Sequence, residues 1–388
     1  MENFDFYAPT YFAFGKGKEK EVGALVKKFG GSKVLLHYGG GSIKKNGVYD
    51  AVVKSLNEEN IPFVELGGVK PNPRSSLVYE GIELCRKENV DFILAVGGGS
   101  AIDSAKAISI GVPYDGDFWD FYGTGKEIVK TLPVGTVLTI AAAGSEGSVG
   151  SVITNEEKGL KWSARGDAIR PKFSILNPEF TCTLPAYQTA CGITDMMVHI
   201  FERYFTNTTE VEVTDRLCEG LLKAIINQAP VLMNNLTDYQ ARANIMWAST
   251  MAHNNILGIG RDQDWASHDI EHELSSLYDV AHGAGLAVIA PAWMKYVYKH
   301  DIKRFVQFAV NVWGVEENKE NPELTALEGI AKLQDFLKSI GMPSTFAQIG
   351  AKEEDIDYMA KNLCRRSRVG YFVEIKEEDA KAIYRLAL

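Results

Sequence analysis

One stretch constrains this chain more than any other. Residues 91–96 (DFILAV) form a short apolar run of strand type that enters Gly97-Gly98-Gly99-Ser100 and then a helical pattern beginning AIDSAKAI. A glycine run between strand and helix lets the backbone approach a ligand, aims N–H groups outward and adds the positive end of the helix. Ser100 is placed either to cap that helix or to donate to a phosphate oxygen. Pyrophosphate is the natural guest of such a turn. The alternative is a plain tight turn closed by a serine, for which three successive glycines carry a high conformational cost. The spacing is not GxGxxG, so an ordinary Rossmann fingerprint is absent.

The surrounding pattern repeats the same logic. Residues 33–38 (KVLLHY), 61–66 (IPFVEL) and 132–140 read as strands, and 47–60, 76–89 and 101–110 as helices. Strand, helix, strand at this spacing predicts a parallel sheet with right-handed crossovers. Pro171, Pro178 and Pro185 then punctuate one short strand, and beyond it helical patterns dominate, at 190–205, 213–232, 239–257 and 324–340. The expected architecture is therefore an α/β, Rossmann-like dinucleotide-binding domain over residues 1–180 and an all-helical domain over 181–388. A length of 388 residues accommodates two such cores.

Composition narrows the partners. Forty-one Lys and Arg against 50 Asp and Glu give a net charge of −9, which argues against nucleic acid or an anionic membrane as partner. Glu2 and Asp5 stand where a signal peptide carries basic residues, and no run approaches the ~20 apolar residues of a membrane span. Five scattered cysteines without a CxxC pair fit reduced thiols. A soluble, cytoplasmic protein is expected.

A second glycine run, Gly39-Gly40-Gly41-Ser42, follows the strand at 33–38. In dinucleotide folds the tip of such a strand often carries an acid that grips the adenosine ribose and repels a 2′-phosphate. Here the tip has none; Ser42, Lys44 and Lys45 follow instead. That surrounding suits an extra phosphate and predicts NADP(H), although a solvated loop with two surface lysines would read the same. A third turn, at 143–147 (AGSEG), closes the strand that ends near residue 142.

The helical half concentrates histidine. Asp195 and His199 lie four apart in one helical pattern, as do His268 and His272, and His282 follows beside Gly283 and Gly285. Residues four apart project from one helix face. One carboxylate with several imidazoles from separate helices suits Fe²⁺ or Zn²⁺ and not the all-oxygen shells of Ca²⁺ or Mg²⁺. Spacing leaves five residues for four positions and does not say whether His272 is a ligand or stands behind one. His37, His253 and His300 read as structural. Phe118, Trp119 and Trp265 read equally well as pocket lining or as packing.

Taken together, these motifs resemble the iron-type, or group III, alcohol dehydrogenases, in particular their NADPH-dependent butanol dehydrogenase and aldehyde reductase branch, whose fold is shared with dehydroquinate synthase. The resemblance runs from Pro9-Thr10 and Phe14-Gly15-Lys16-Gly17 through the run from Gly97 to Lys106 to Asp195, His199, His268, His272, His282 and Gly283. It implies Asp195, His199, His268 and His282 as metal ligands, and His272 as a histidine near the nicotinamide that is not a ligand. It implies Gly98, Gly99 and Ser100 as the pyrophosphate turn, Asp103 on the cofactor side, and Thr139 and Lys161 reaching the cofactor. Gly39, Gly40, Gly41, Ser42 and Lys45 stand where NAD-using relatives carry an acid. The family's Gly-Thr-Gly-Ser-Glu appears here as Ala142-Ala143-Gly144-Ser145-Glu146.

The activity so implied is hydride transfer between NADP(H) and a primary alcohol or aldehyde such as butanol and butanal, in a homodimer; the chemistry of such a site adds the expectation that His272, directly or through water or a ribose hydroxyl, lies on the proton path. A glycerol-type polyol dehydrogenase, a dehydroquinate synthase-like metal lyase, and a non-catalytic metal- or nucleotide-binding protein are the competing expectations.

Overall fold

The computed structural model describes residues 1–388. The chain forms two compact units, one of Tyr7–Leu184 with Leu236–Asn254, the other of Met1–Phe6, Pro185–Asn235 and Asn255–Leu388.

The first unit is built on a six-stranded sheet of β1 (Tyr11–Phe14), β2 (Val34–Tyr38), β3 (Phe63–Leu66), β4 (Phe92–Gly97), β5 (Val134–Leu138) and β8 (Phe173–Leu176). Its order is β1-β8-β5-β4-β2-β3, and every pairing is parallel. β2, β4, β5 and β8 are buried along their whole length, which is why they read as apolar runs without alternation. The helices Val48–Glu58, Ser75–Glu88 and Gly99–Gly111 fall within a few residues of their predicted positions. Because β2, β4 and β5 are adjacent and parallel, the turns that follow them gather along one edge of the sheet, the edge at which open α/β sheets bind ligands.

Two features of this unit had no counterpart in the periodicity. β1 is a four-residue edge strand paired only to β8. β6 (Gly150–Asn155) and β7 (Leu160–Arg165) form an antiparallel hairpin outside the main sheet. A signal for the hairpin does exist: Asn155 Oδ1 accepts from Lys158 N at 3.0 Å, and Gly159 takes φ +60°.

The helix Tyr239–His253 also belongs here. Trp247 meets Phe12 and Phe14 of β1 edge-on at 5.7 and 6.1 Å, and Thr250 Oγ1 donates to Glu146 at 2.5 Å. Gly144 sits beneath this helix at φ +65°, where a Cβ would lie 2.5 Å from Ser249 O.

The second unit is helical. Ala186–Tyr204 runs through it almost wholly buried, with Glu212–Asn234, Ala266–Tyr278, His282–Val297, Ile302–Trp313 and Pro322–Ser339 among its other helices. Phe205 packs on Trp293, Phe305 and Phe308 at 4.5–5.6 Å between ring centroids, an aromatic core that fixes where these helices cross. No helix is long and apolar enough to cross a membrane.

Candidate metal centre and cofactor turns

In the helical unit, three imidazoles converge on one oxygen. Asp195 Oδ1 lies 3.4 Å from His199 Nε2, 3.6 Å from His268 Nε2 and 3.8 Å from His282 Nε2. Asp195 and His199 are one turn apart on Ala186–Tyr204, His268 is in the first turn of Ala266–Tyr278, and His282 opens His282–Val297. Gly283 makes the last approach possible: a Cβ there would sit 2.1 Å from Cys191 O, one turn before Asp195. Asp195 Oδ1 and His268 Nε2 are buried without a hydrogen-bond partner. A cation between them satisfies both, and the nitrogen-rich donor set suits Fe²⁺ or Zn²⁺. Burial works against charge on His268, but the carboxylates of Asp195 and Glu202 outweigh it and raise its pKa to about 9.

Two buried carboxylates aim these rings. Glu202 Oε1 accepts from both the backbone N of His268, at 3.0 Å, and its Nδ1, at 2.7 Å, so Nε2 faces Asp195. Glu271 pairs with His282 Nδ1 and accepts from Ser275, and a Cβ on Gly285 would lie 2.5 Å from its Oε1. Neither acid was anticipated from the sequence. The available signal is that each lies three residues beyond a helical histidine, Glu202 after His199 and Glu271 after His268, on the same helix face. Asp264 completes the support by accepting from Tyr371 N and Phe372 N, both at 2.7 Å; burial and Glu202 push its carboxyl up to about 8.

His272 lies with Glu271 and His282 in a second group of donor atoms, and its ring centroid is 5.6 Å from that of His282. Trp265 takes φ +70° and sets its ring edge-on to His199 and His268 at 5.8 and 5.5 Å, so it packs on the cluster. Phe118 and Trp119 pack instead with Tyr79 and Tyr122 in the other unit. His300 Nε2 bonds Asn207, and His37 is buried between Leu66 O and Ser104 Oγ, both structural roles.

In the α/β unit, Gly98 caps the Gly99–Gly111 helix and no side chain does, so Ser100 is not the cap. The glycines differ. A Cβ on Gly98 would lie 2.9 Å from Ile140, whereas one on Gly99 would meet nothing nearer than Ala143 Cβ at 3.5 Å. Packing therefore explains Gly98, and Gly99 has space in front of it. Thr139 is buried beside this turn, its N–H donating to Gly97 O at 3.0 Å.

Asp103 is engaged within the protein. It accepts from Ser145 Oγ at 2.5 Å and from Val152 N at 2.9 Å. One turn on, fully buried Lys106 donates to Ser145 O at 2.7 Å and Gly150 O at 2.8 Å, and burial lowers its pKa to about 8. Together they brace the third glycine turn. Lys161 stands on β7, buried, its Nζ donating to Asn72 at 3.0 Å. In the turn after β2, Gly41 takes φ +99°, no Cβ would clash at Gly40 or Gly41, and Ser42 and Lys45 are exposed.

Fold and donor cluster together narrow the class to α/β-plus-helical proteins built to hold a divalent metal. Within it, the chain belongs to the iron-containing alcohol dehydrogenase family: residues 9–178 match iron-containing alcohol dehydrogenase and residues 189–388 the family's C-terminal region. It is 45% identical over 388 residues to NADH-dependent butanol dehydrogenase A of Clostridium acetobutylicum, covering 99% of each chain. It is 35% identical over 395 residues to NADPH-dependent aldehyde reductase YqhD of Escherichia coli, covering 100% of each. The crystal structure of NADH-dependent butanol dehydrogenase A from Thermotoga maritima superposes with a TM-score of 0.96 at 43% identity, over 100% of this chain and 99% of that one. The family implies an oxidoreductase of alcohols and aldehydes that uses a divalent metal and a nicotinamide cofactor.

Proposed function

We propose that the protein transfers hydride between NADP(H) and a primary alcohol/aldehyde pair such as butanol and butanal. The observation that carries the reading is the convergence of three imidazole nitrogens on Asp195 Oδ1. Asp195, His199, His268 and His282 hold Fe²⁺ or Zn²⁺, while Glu202 and Glu271 keep two of the rings aimed. When bound, the metal supplies a Lewis acid for the substrate oxygen and the nicotinamide supplies or accepts the hydride. Backbone N–H groups at Gly99 and Ser100 receive the pyrophosphate, with Thr139 beside them. Asp103 acts through the 145–152 segment that it tethers, and Lys161 reaches the cofactor from β7. His272 passes the proton to or from the substrate oxygen.

The NADP(H) preference rests on the acid-free tip of β2 and on the exposed Ser42 and Lys45. Names of relatives point both ways: butanol dehydrogenase A is called NADH-dependent and YqhD NADPH-dependent. Butanal reduction by the metal-loaded enzyme, run in parallel with NADPH and NADH, tests the whole reading. Metal-dependent turnover favouring NADPH supports it. A preference for NADH removes the reading of the 39–42 turn alone, and no turnover with butanal but turnover on polyols replaces the substrate. Substituting His272→Ala is expected to lower kcat about 10²-fold and flatten its pH profile, with metal content unchanged.

A further inference from the structure

The tip of β2 carries no acid, but the neighbouring strand β3 places one beside it. β3 pairs with β2 in parallel, Glu65 opposite Leu36, and the Glu65 carboxylate collects three donors. Tyr38 Oη donates to Oε2 at 2.7 Å, Tyr49 Oη to Oε1 at 2.6 Å, and Lys44 Nζ to Oε2 at 3.2 Å. Tyr38 ends β2, Lys44 lies just beyond the 39–42 turn, and Tyr49 opens the next helix. The Lys44 ammonium also stands over both rings, 5.0 Å from the Tyr38 centroid and 4.5 Å from that of Tyr49. Burial works against charge on Glu65, but the bonds from Tyr49, Tyr38 and Lys44 outweigh it and hold its carboxyl below the usual range. Lys45 is exposed and makes no hydrogen bond or ion pair. Of the two cations that the sequence places after this turn, one is thus paired with a carboxylate and laid against two rings while still half exposed, and one is free.

We propose that Glu65 sets the balance between phosphorylated and unphosphorylated dinucleotide by holding Lys44 away from the 39–42 turn. This rests on the cofactor reading above. With Lys44 paired, a 2′-phosphate meets Lys45 and Ser42 alone, and the Glu65 carboxylate stands beside Lys44. The clamp weakens discrimination in favour of NADPH without providing the ribose-gripping acid at the tip of β2. It leaves the protein able to use either form. Removing the carboxylate frees Lys44 to swing toward the turn.

The test is direct binding of NADPH and NADH to the full-length, metal-loaded protein, read by nicotinamide fluorescence, with the ratio of the two Kd values as the quantity of interest. Glu65→Gln is expected to shift that ratio toward NADPH about fivefold, the scale of a surface ion pair. Adding Lys44→Met to it is expected to return the ratio to near the wild-type value. Lys44→Met alone leaves the Glu65 charge without its counter-ion and is expected to shift the ratio toward NADH about threefold. The clamp is overturned by an unchanged ratio in Glu65→Gln, or by a double variant that keeps the whole gain. Should Glu65→Gln fold poorly, an unchanged ratio in Lys44→Met overturns it as well. Wild-type protein that binds neither nucleotide removes the cofactor reading itself, and the clamp with it; binding of both with a ratio indifferent to Glu65 overturns the clamp alone.

Discussion

Around Asp195 the chain brings side chains together, and around the 98–100 turn it withholds them. The metal cluster draws one carboxylate and three imidazoles from three helices; buried carboxylates fix two of the rings, Glu202 for His268 and Glu271 for His282, and Gly283 brings the His282 helix close against Cys191 O. The sheet edge offers backbone instead, at Gly99, Gly40 and Gly41, where an added Cβ would meet open space or ordinary contact. The difference fits the ligands proposed for the two regions. A small cation needs several lone pairs aimed at one point, which only oriented side chains supply. A diphosphate needs N–H groups at close range, which side chains would obstruct.

Four experiments would break or sharpen that contrast, beginning with the largest expected effect. Asp195→Ala should empty the site and lower turnover about 10³-fold, because it removes the oxygen on which all three imidazoles converge. Elemental analysis that still finds the metal, with turnover intact, would show that the carboxylate is not a ligand.

The second concerns how each region handles buried imidazole. His268 is drawn toward the charged form by carboxylates, whereas burial lowers the His37 pKa from 6.5 to about 4. His37 therefore stays neutral in the fold while the unfolded chain protonates below 6.5. Its contribution is fully present above that pH and is lost as pH falls toward 4, about 3 kcal/mol in all. Urea midpoints measured across this window should fall less steeply in His37→Gln than in the wild type.

Third, Glu202→Gln and Glu271→Gln should each weaken metal affinity about 10- to 100-fold. Chelator competition reads the affinity, and a Co²⁺-substituted spectrum reads the geometry. Unaltered affinity in both would mean that the ligand rings are held by packing alone. The smallest effect is expected at Gly99→Ala, whose Cβ finds room in the protein. Thermal stability should stay near wild type while the Kd for the nicotinamide cofactor rises about tenfold; an unmoved Kd would show that no ligand comes close there.

Much of this was legible beforehand, for identifiable reasons. The strands at 33–38 and 91–96 were readable because a buried parallel strand must be a continuous apolar run. Asp195 and His199, like His268 and His272, declare themselves because a helix places residues four apart on one face. β1 and the β6–β7 hairpin escaped because short edge strands and hairpins carry little periodic signal. Ser100 was readable as a cap or a ligand donor, and only the position of the first helical turn excluded the cap.

By itself the sequence determined the parallel sheet, the glycine turns that follow its strands and the histidine-rich helical half. Local patterns carry all of these, because they depend on backbone freedom and on which face a residue occupies. Tertiary structure alone decided which distant groups meet. It placed the helix Tyr239–His253 with the sheet through Trp247 and Thr250, set Glu202 behind His268, and brought Glu65 from the next strand to engage Lys44. Those pairings join residues from 21 to 235 positions apart. They are fixed by packing between elements, which no periodicity within a single element encodes.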